Sequence, residues 1–198
     1  MIKNKFHAMS TRFPTLETPR LILRRILRSD ADDMYEYARL PEVTRYLLWD
    51  VHPDRNHTYL YIDGLQSQYR MGKYYDFAVI LKENGKMIGT CGFASVDFEN
   101  DAAEIGYVIN PAYQNCGYAT EAVLAVMNFG FGTLGLHRIE GRYMSENRQS
   151  RRVMDKCGMI YEGDRREGAK VKGKYETVGV SAILKTEFFA RKHFGDVN

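Results

Sequence analysis

Apolar and basic residues alternate along RLILRRI, Arg20 to Ile26, as they do on a half-buried strand. Ser29 and Asp30 are placed to cap the helix that follows, ADDMYEYARL, which carries acidic residues in its first turn and stops before Pro41. A second helix is predicted from Asp54 to Met71, ending at Gly72. A strand-rich block comes next. DFAVILK and MIGTCGFASV flank ENGK, where Asn84-Gly85 tolerates the positive φ of a hairpin turn, and AEIGYVI supplies a third strand. From Tyr118 to Leu134, apolar or small residues fall at Val123, Val126, Met127, Gly130, Phe131 and Leu134, and these intervals of three and four predict a helix. HRIEGRYM reads as a strand, NRQSRRVMDKC as a helix stopped at Gly158, and MIYEGDRRE with KYETVGVSAILK as a closing pair of strands.

This order, β-α-α-β-β-β-α-β-α-β-β, puts hairpins first and one β-α-β crossover in the middle. The fold class expected is therefore α+β around one mixed sheet. Without repeats or a Ser/Pro-rich linker, residues 20–198 read as a single domain. Residues 1–19, polar and basic, read as an N-terminal arm that is poorly ordered by itself.

Composition narrows the function. Apolar residues make up 44% and charged residues 27%, enough for a core and for a soluble surface. A formal net charge of +3 favours small anions slightly and is too small to argue for nucleic acid. No run reaches the roughly 18 apolar residues of a membrane span, and the start has no signal-peptide core. Cys91, Cys116 and Cys157 are odd in number and widely separated, which points to a reducing cytoplasm rather than disulfides or zinc. His52 and His57 lack further partners at ligand spacing, so no metal is expected.

The stretch that carries chemistry is QNCGYATEA, residues 114–122, between a strand and a helix. The first N–H groups of a helix lack intrahelical partners and its dipole is positive there, so such a loop suits a phosphate. Gly117 lacks a Cβ and Ala119 has only a methyl, which leaves clearance for the anion, and Thr120 adds a hydroxyl. The plainer reading of Gly117 is a turn before a core helix. Neither GxGxxG nor GxxxxGK[ST] is present.

Gln114-x-x-Gly117-x-Ala119 resembles the Q/R-x-x-G-x-G/A pyrophosphate motif of the GNAT N-acetyltransferase superfamily. EIGYVI resembles that family's fourth strand, and HRIEGRYMSENRQSRRVMDKCGM its next conserved block. RLILRRI resembles the opening strand of the RimJ/RimL-like branch, which acetylates ribosomal proteins. The resemblance implies a mostly antiparallel mixed sheet flanked by helices and splayed between the family's fourth and fifth strands by a bulge. It implies acetyl-CoA as co-substrate. Tyr107, Val108 and Ile109 would offer backbone groups to the pantetheine arm, one N–H doubling as an oxyanion donor. Gln114, Asn115, Cys116, Gly117, Tyr118, Ala119 and Thr120 would hold the pyrophosphate. Asn147 would meet the cofactor arm, with Ser150 either assisting or serving as an ordinary first-turn residue. Arg151, Arg152 and Lys156 would reach a 3′-phosphate or form a solvated face. Cys116 is a loop filler, because the chemistry calls for direct attack by the amine.

An alkylamine is mostly protonated at neutral pH, so attack on a thioester benefits from a base. Glu104 is the first candidate, the alternative being a structural acceptor or a substrate-orienting group, and Glu140 is the second. Many relatives carry a Tyr acid where this chain has Met154; water, Tyr143 and Tyr175 are the substitutes considered. Trp49, Tyr59, Tyr61 and Tyr69 fall where the family builds its acceptor groove, or else pack a helix face. The acceptor is a protein N-terminal amine or a small-molecule amine such as a polyamine, amino acid or aminoglycoside. A non-catalytic acyl-CoA sensor and a homodimer are further arrangements the sequence allows; nucleic acid and membrane partners are not expected.

Overall fold

The computed structural model describes residues 2–72 and 75–195. Its strands are β1 (Leu16–Glu17), β2 (Leu21–Arg24), β3 (Tyr75–Leu81), β4 (Met87–Asp97), β5 (Ala102–Ile109), β6 (Arg138–Met144), β7 (Ile160–Val171) and β8 (Lys174–Leu184). They form one sheet in the order β1-β2-β3-β4-β5-β6-β8-β7. The helices are α1 (Ile2–Thr11), α2 (Ala31–Ala38), α3 (Pro41–Thr44), α4 (Arg55–Arg70), α5 (Tyr118–Asn128), α6 (Arg148–Lys156) and α7 (Lys185–Gly195). The expected α+β class holds. Among the described residues every strand pair is antiparallel except β5–β6, whose parallel pairing requires the crossover that α5 supplies.

Alternation along the strands divides the core between two faces. Phe77 and Val79 of β3 pack with Leu23, Ile105, Val123 and Val126 on the α5 side. Ala78 and Ile80 pack with Ile26, Met34 and Ile62 against α2 and α4 on the other. Burial on both faces is why DFAVIL reads as a nearly continuous apolar run.

Four expectations need correction. The leading residues are not a loose arm: Ile2, Phe6 and Met9, at helical intervals, are buried in the α5-side core. Phe6 sits edge-on to Tyr75, Phe93 and Phe98 with centroids 4.9, 5.9 and 5.5 Å away. Asp30 occupies the N-cap position of α2 without a capping side-chain bond. Its carboxylate instead takes the Arg24 guanidinium at 2.7 and 2.8 Å and the Leu27 N–H at 2.8 Å, since a buried carboxylate requires paired charge. The helix expected to Leu134 is α-helical only to Asn128 and continues as a π-turn over Phe129–Leu134, which leaves Phe129, Phe131 and Leu134 all buried. The short α3 and the terminal α7 were not anticipated.

The fourth concerns the splay. β5 pairs with β6 only from Ala102↔Arg138 to Ile105↔Gly141. Beyond that point β5 stays paired with β4 up to Ile109, and β6 with β8 up to Met144, so the two parallel strands diverge. The bulge lies not within Tyr107–Ile109 but on β4, between Phe93 and Ser95, opposite Ile105 and Glu104. An extra residue there increases local twist and turns the second half of β5 away from β6.

Phe6→Ala should destabilise the protein by about 3–5 kcal/mol, the cost of emptying a packed aromatic site. Urea unfolding checks this; an unchanged midpoint would mean that α1 adds nothing to the core.

Candidate functional site

The divergent end of β5 runs into the loop that begins α5. Gln114 folds back and donates from Nε2 to the Ile109 carbonyl at 3.0 Å, tying the loop to the strand end. Asn115 and Gly117 take positive φ, 61° and 83°, on either side of Cys116. Gly117 is the N-cap of α5 and no side chain caps the helix there, so its first amides have no side-chain acceptor at the cap.

Arg20 holds this loop from behind. Its Nη1 donates to the Cys116 carbonyl at 2.9 Å, and its Nε pairs with Glu121 Oε2 at 2.6 Å. Its guanidinium also lies 4.5 Å from the centre of the Tyr118 ring. Thr18 Oγ1 and the Arg20 N–H donate to the other Glu121 oxygen at 2.6 and 3.0 Å. Burial pushes the Glu121 carboxyl upward, but these hydrogen bonds and the Arg20 charge outweigh it and hold the group below its ordinary value. A carboxylate one turn from an anion site would repel the anion; paired this way, it anchors the loop instead.

A cleft of about 330 Å³ opens between the loop, the free half of β5, α6 and α3. Every residue expected to hold the pantetheine arm or the pyrophosphate lines it except Cys116, whose exposed thiol turns back to the Gln114 carbonyl. Asn147 caps α6, its Oδ1 accepting from the Ser150 N–H at 3.1 Å. The Tyr107 hydroxyl donates to the Ser150 carbonyl at 2.8 Å and lies 2.9 Å from Ser150 Oγ, bolting β5 to α6 across the splay. Burial drives this phenol well above its usual range, although Ser150 opposes the shift. Of the basic trio, Arg152 and Lys156 face the cleft, while Arg151 stacks over Tyr161 at 4.5 Å.

The front wall was not legible in the sequence. Glu42, Val43, Tyr46 and Leu47, from α3 and the segment after it, close the cleft. They are held by the outer hairpin: Lys172 Nζ donates to the Thr44 carbonyl at 2.9 Å and pairs with Asp50 at 3.4 Å. Arg45 reaches Glu146 at 3.7 Å across the mouth of the splay.

Glu104 lies outside the cleft. It is on the sheet face shared with Gly106 and Val108, opposite Ser95 on β4 and Glu140 on β6. Ser95 Oγ is 3.4 Å and Arg142 Nη1 3.5 Å from its Oε2. Burial raises its carboxyl above the ordinary range and Glu140 adds to this, while Arg142 opposes it. Glu140 itself is engaged by Arg142 at 2.7 Å and Arg138 at 3.2 Å.

Met154 is buried against Gly141, as core packing requires. Neither substitute Tyr reaches the cleft. Tyr143 lays its ring across Gly179 of β8, and its buried hydroxyl has no hydrogen-bond partner among the described residues. Tyr175 is exposed beside Lys170 on the outer hairpin.

The four aromatic residues separate. Trp49 and Tyr61 line a second cavity of about 220 Å³ that shares Leu47, Tyr107 and Val108 with the cleft. Tyr69 is core, and Tyr59 lies under the Arg28 guanidinium at 4.6 Å. His52 contacts Thr58 Oγ1 at 2.9 Å, and burial, assisted by His57, lowers it to about 4. Among the described residues, no three His, Cys, Asp or Glu are grouped to hold a metal ion, and no helix is long and apolar enough to cross a membrane.

Residues 20–160 match the model of the acetyltransferase (GNAT) domain. A Bacillus licheniformis N-acetyltransferase, p20, is 36% identical over 174 residues, covering 88% of this chain and 98% of that protein. The [ribosomal protein uS5]-alanine N-acetyltransferase of Escherichia coli K12 is 24% identical over 181 residues, 87% and 92% of the two chains. The crystal structure of a GNAT-family acetyltransferase from Bacillus anthracis superposes with a TM-score of 0.79 at 30% identity, covering 88% of this chain and all of that one.

The Glu121 clamp predicts a pH signature. Its folded-state carboxyl value is depressed, so its stabilisation is complete above the unfolded value of about 4.3 and is lost as pH falls through the folded value. Glu121→Gln should be less stable than wild type at neutral pH, with the gap closing on acidification. Urea unfolding across pH would expose a pH-independent gap if the charge contributes nothing.

Proposed function

Because the chain belongs to the GNAT family of N-acetyltransferases, we propose that it transfers the acetyl group of acetyl-CoA to a primary amine by direct attack. The observation that carries this is the continuity of one cleft from the anion-binding loop to the unpaired edge of β5. In this reading the amides of residues 115–120 hold the pyrophosphate, with Arg152 and Lys156 supplying positive charge at the same wall. The β5 edge at Tyr107–Ile109, which has lost β6 as a partner, offers N–H and C=O groups to the amides of the pantetheine arm. An N–H of that edge donates to the carbonyl oxygen as it becomes tetrahedral. Asn147, with Oδ1 committed to α6, has its NH2 group for the arm.

The amine nitrogen attacks the thioester carbon, its proton passes to a base, and the C–S bond breaks to release the thiolate. Glu104 is the base we assign, acting through water from the sheet face beyond Gly106; its raised carboxyl makes it a better proton acceptor than an ordinary glutamate. A thiol with a pKa near 8.5 leaves with little help, so the chemistry tolerates Met154. Tyr107, with its phenol value raised and its hydroxyl committed to Ser150, orients rather than protonates. Similarity to the uS5-alanine enzyme supports a protein N-terminal amine, while the small second cavity favours a small-molecule amine.

Gly117→Glu should weaken acetyl-CoA binding by more than roughly tenfold, because bulk and negative charge enter the loop and the left-handed backbone becomes strained. Isothermal calorimetry reading an unchanged affinity would sink the loop assignment. Glu104→Gln should lower kcat and remove the acidic limb of the pH–rate profile. If that limb persists at the wild-type rate, the base lies elsewhere.

A further inference from the structure

The wall that closes the cleft is one excursion of the chain, residues 39–51. Its base is pinched where the His52 N–H donates to the Ala38 carbonyl at 3.0 Å. Val43 and Trp49 lean on the core shared with α2 and α4. Val43, Tyr46 and Leu47 line the cleft, while Leu47, Leu48 and Trp49 line the second cavity. Both cavities therefore change shape if this segment moves.

Its outer side is held from the far bank of the splay. The β7–β8 hairpin is joined to β6 and lies beyond it, not beside β5. Two residues connect these strands, Lys172 and Gly173, both at positive φ, 49° and 84°, with Val171 paired to Lys174 across them. A two-residue hairpin turn of this kind favours Asn-Gly, because a longer side chain resists the left-handed region. Lysine is a poor choice for the turn alone. Its side chain supplies the reason: Nζ donates to the Thr44 carbonyl at 2.9 Å and lies 3.4 Å from Asp50 Oδ1. One ammonium group thus grips the segment on both sides of Tyr46–Trp49. Thr44 and Val171, next to the grip, are buried, whereas the Asp50 side chain is 84% exposed. An exposed ion pair is screened and contributes little, so the bond to the Thr44 carbonyl is the stronger constraint. The Arg45–Glu146 pair, exposed on both sides and 3.7 Å apart, is weak for the same reason.

We propose that Lys172 is a positioning residue, latching the 39–51 segment across the splay and so setting the width of the cleft. It is the counterpart at the front of the Tyr107–Ser150 contact, which joins β5 to α6. The consequence for acetyl-CoA rests on the proposed function, whereas the latch itself rests on the contacts of Lys172 alone.

Trp49 is the single tryptophan of the chain, so its fluorescence reports on the segment with no substrate present. Lys172→Asn is the informative variant: it installs the favoured Asn-Gly turn but is too short to reach Thr44. The test compares acrylamide quenching of Trp49, calorimetric titration with acetyl-CoA, and urea unfolding for wild type, Lys172→Asn and Lys172→Arg. In Lys172→Asn quenching should rise and acetyl-CoA should bind about three- to tenfold more weakly, the effect of one lost hydrogen bond. Its urea midpoint should stay at or above that of wild type. Lys172→Arg, which keeps the charge and the donors, should return quenching and affinity to near wild-type values. A variant with a sound fold and weaker donor binding is a result that a merely structural lysine does not give. Unchanged quenching and affinity in Lys172→Asn would overturn the latch, as would a lower urea midpoint without a change in quenching. If wild type binds no acetyl-CoA while quenching still rises in Lys172→Asn, the latch stands and the proposed function is rejected instead.

Discussion

Between Ile105 and Ile109, β5 is hydrogen-bonded on one side and open on the other, and the rest of the structure is arranged around that half-paired strand. An unpaired strand edge is a liability, prone to recruit whatever can complete its ladder. Here the edge is kept open by three independent devices. The β4 bulge twists β5 away from β6, the Tyr107–Ser150 contact fixes the width of the gap, and α3 with its following segment closes it from the front. In the proposed function the arm of the donor takes the place of the missing strand, so a backbone defect becomes a recognition element.

Charge is handled on the same logic. In the proposed function the loop before α5 presents amides and a helix N-terminus to an anion, yet the helix carries Glu121 in its first turn. Arg20 and Thr18 neutralise that carboxylate and use it to hold the loop against β2. The sheet face beyond β5 has a different balance: Glu104, Glu140 and Glu162 alternate with Arg138 and Arg142 in one ion-pair network, and burial raises the Glu104 carboxyl despite Arg142.

What could be read in advance follows from the range of the interactions. The strands of the central hairpin, α4 and the 114–120 loop are written in local patterns of period, turn residue and motif, and they lie close to where the sequence places them. The helix carrying Phe6 was legible in the 2, 6, 9 spacing but was masked by its polar neighbours. Asp30 looked like a cap because its partner, Arg24, becomes a neighbour only after β2 turns into α2. The 41–50 wall depends on contacts between segments distant in the chain, for which a single sequence holds no signal. Glu104 was chosen by its place on a strand, and only the folded chain shows that it lies outside the lining of the cleft.

Tyr107, Val108 and Leu47 wall two cavities at once, whereas Leu48 and Trp49 belong to only one of them. The scaffold therefore shares three positions between the cavities and leaves others, Leu48 and Trp49 among them, to one alone. Leu48, which is largely exposed, and its neighbour Trp49 are handles for reshaping the second cavity alone. Changes at the shared positions would reshape both cavities together, so a library that mixes the two groups would confound an effect on one with an effect on the other.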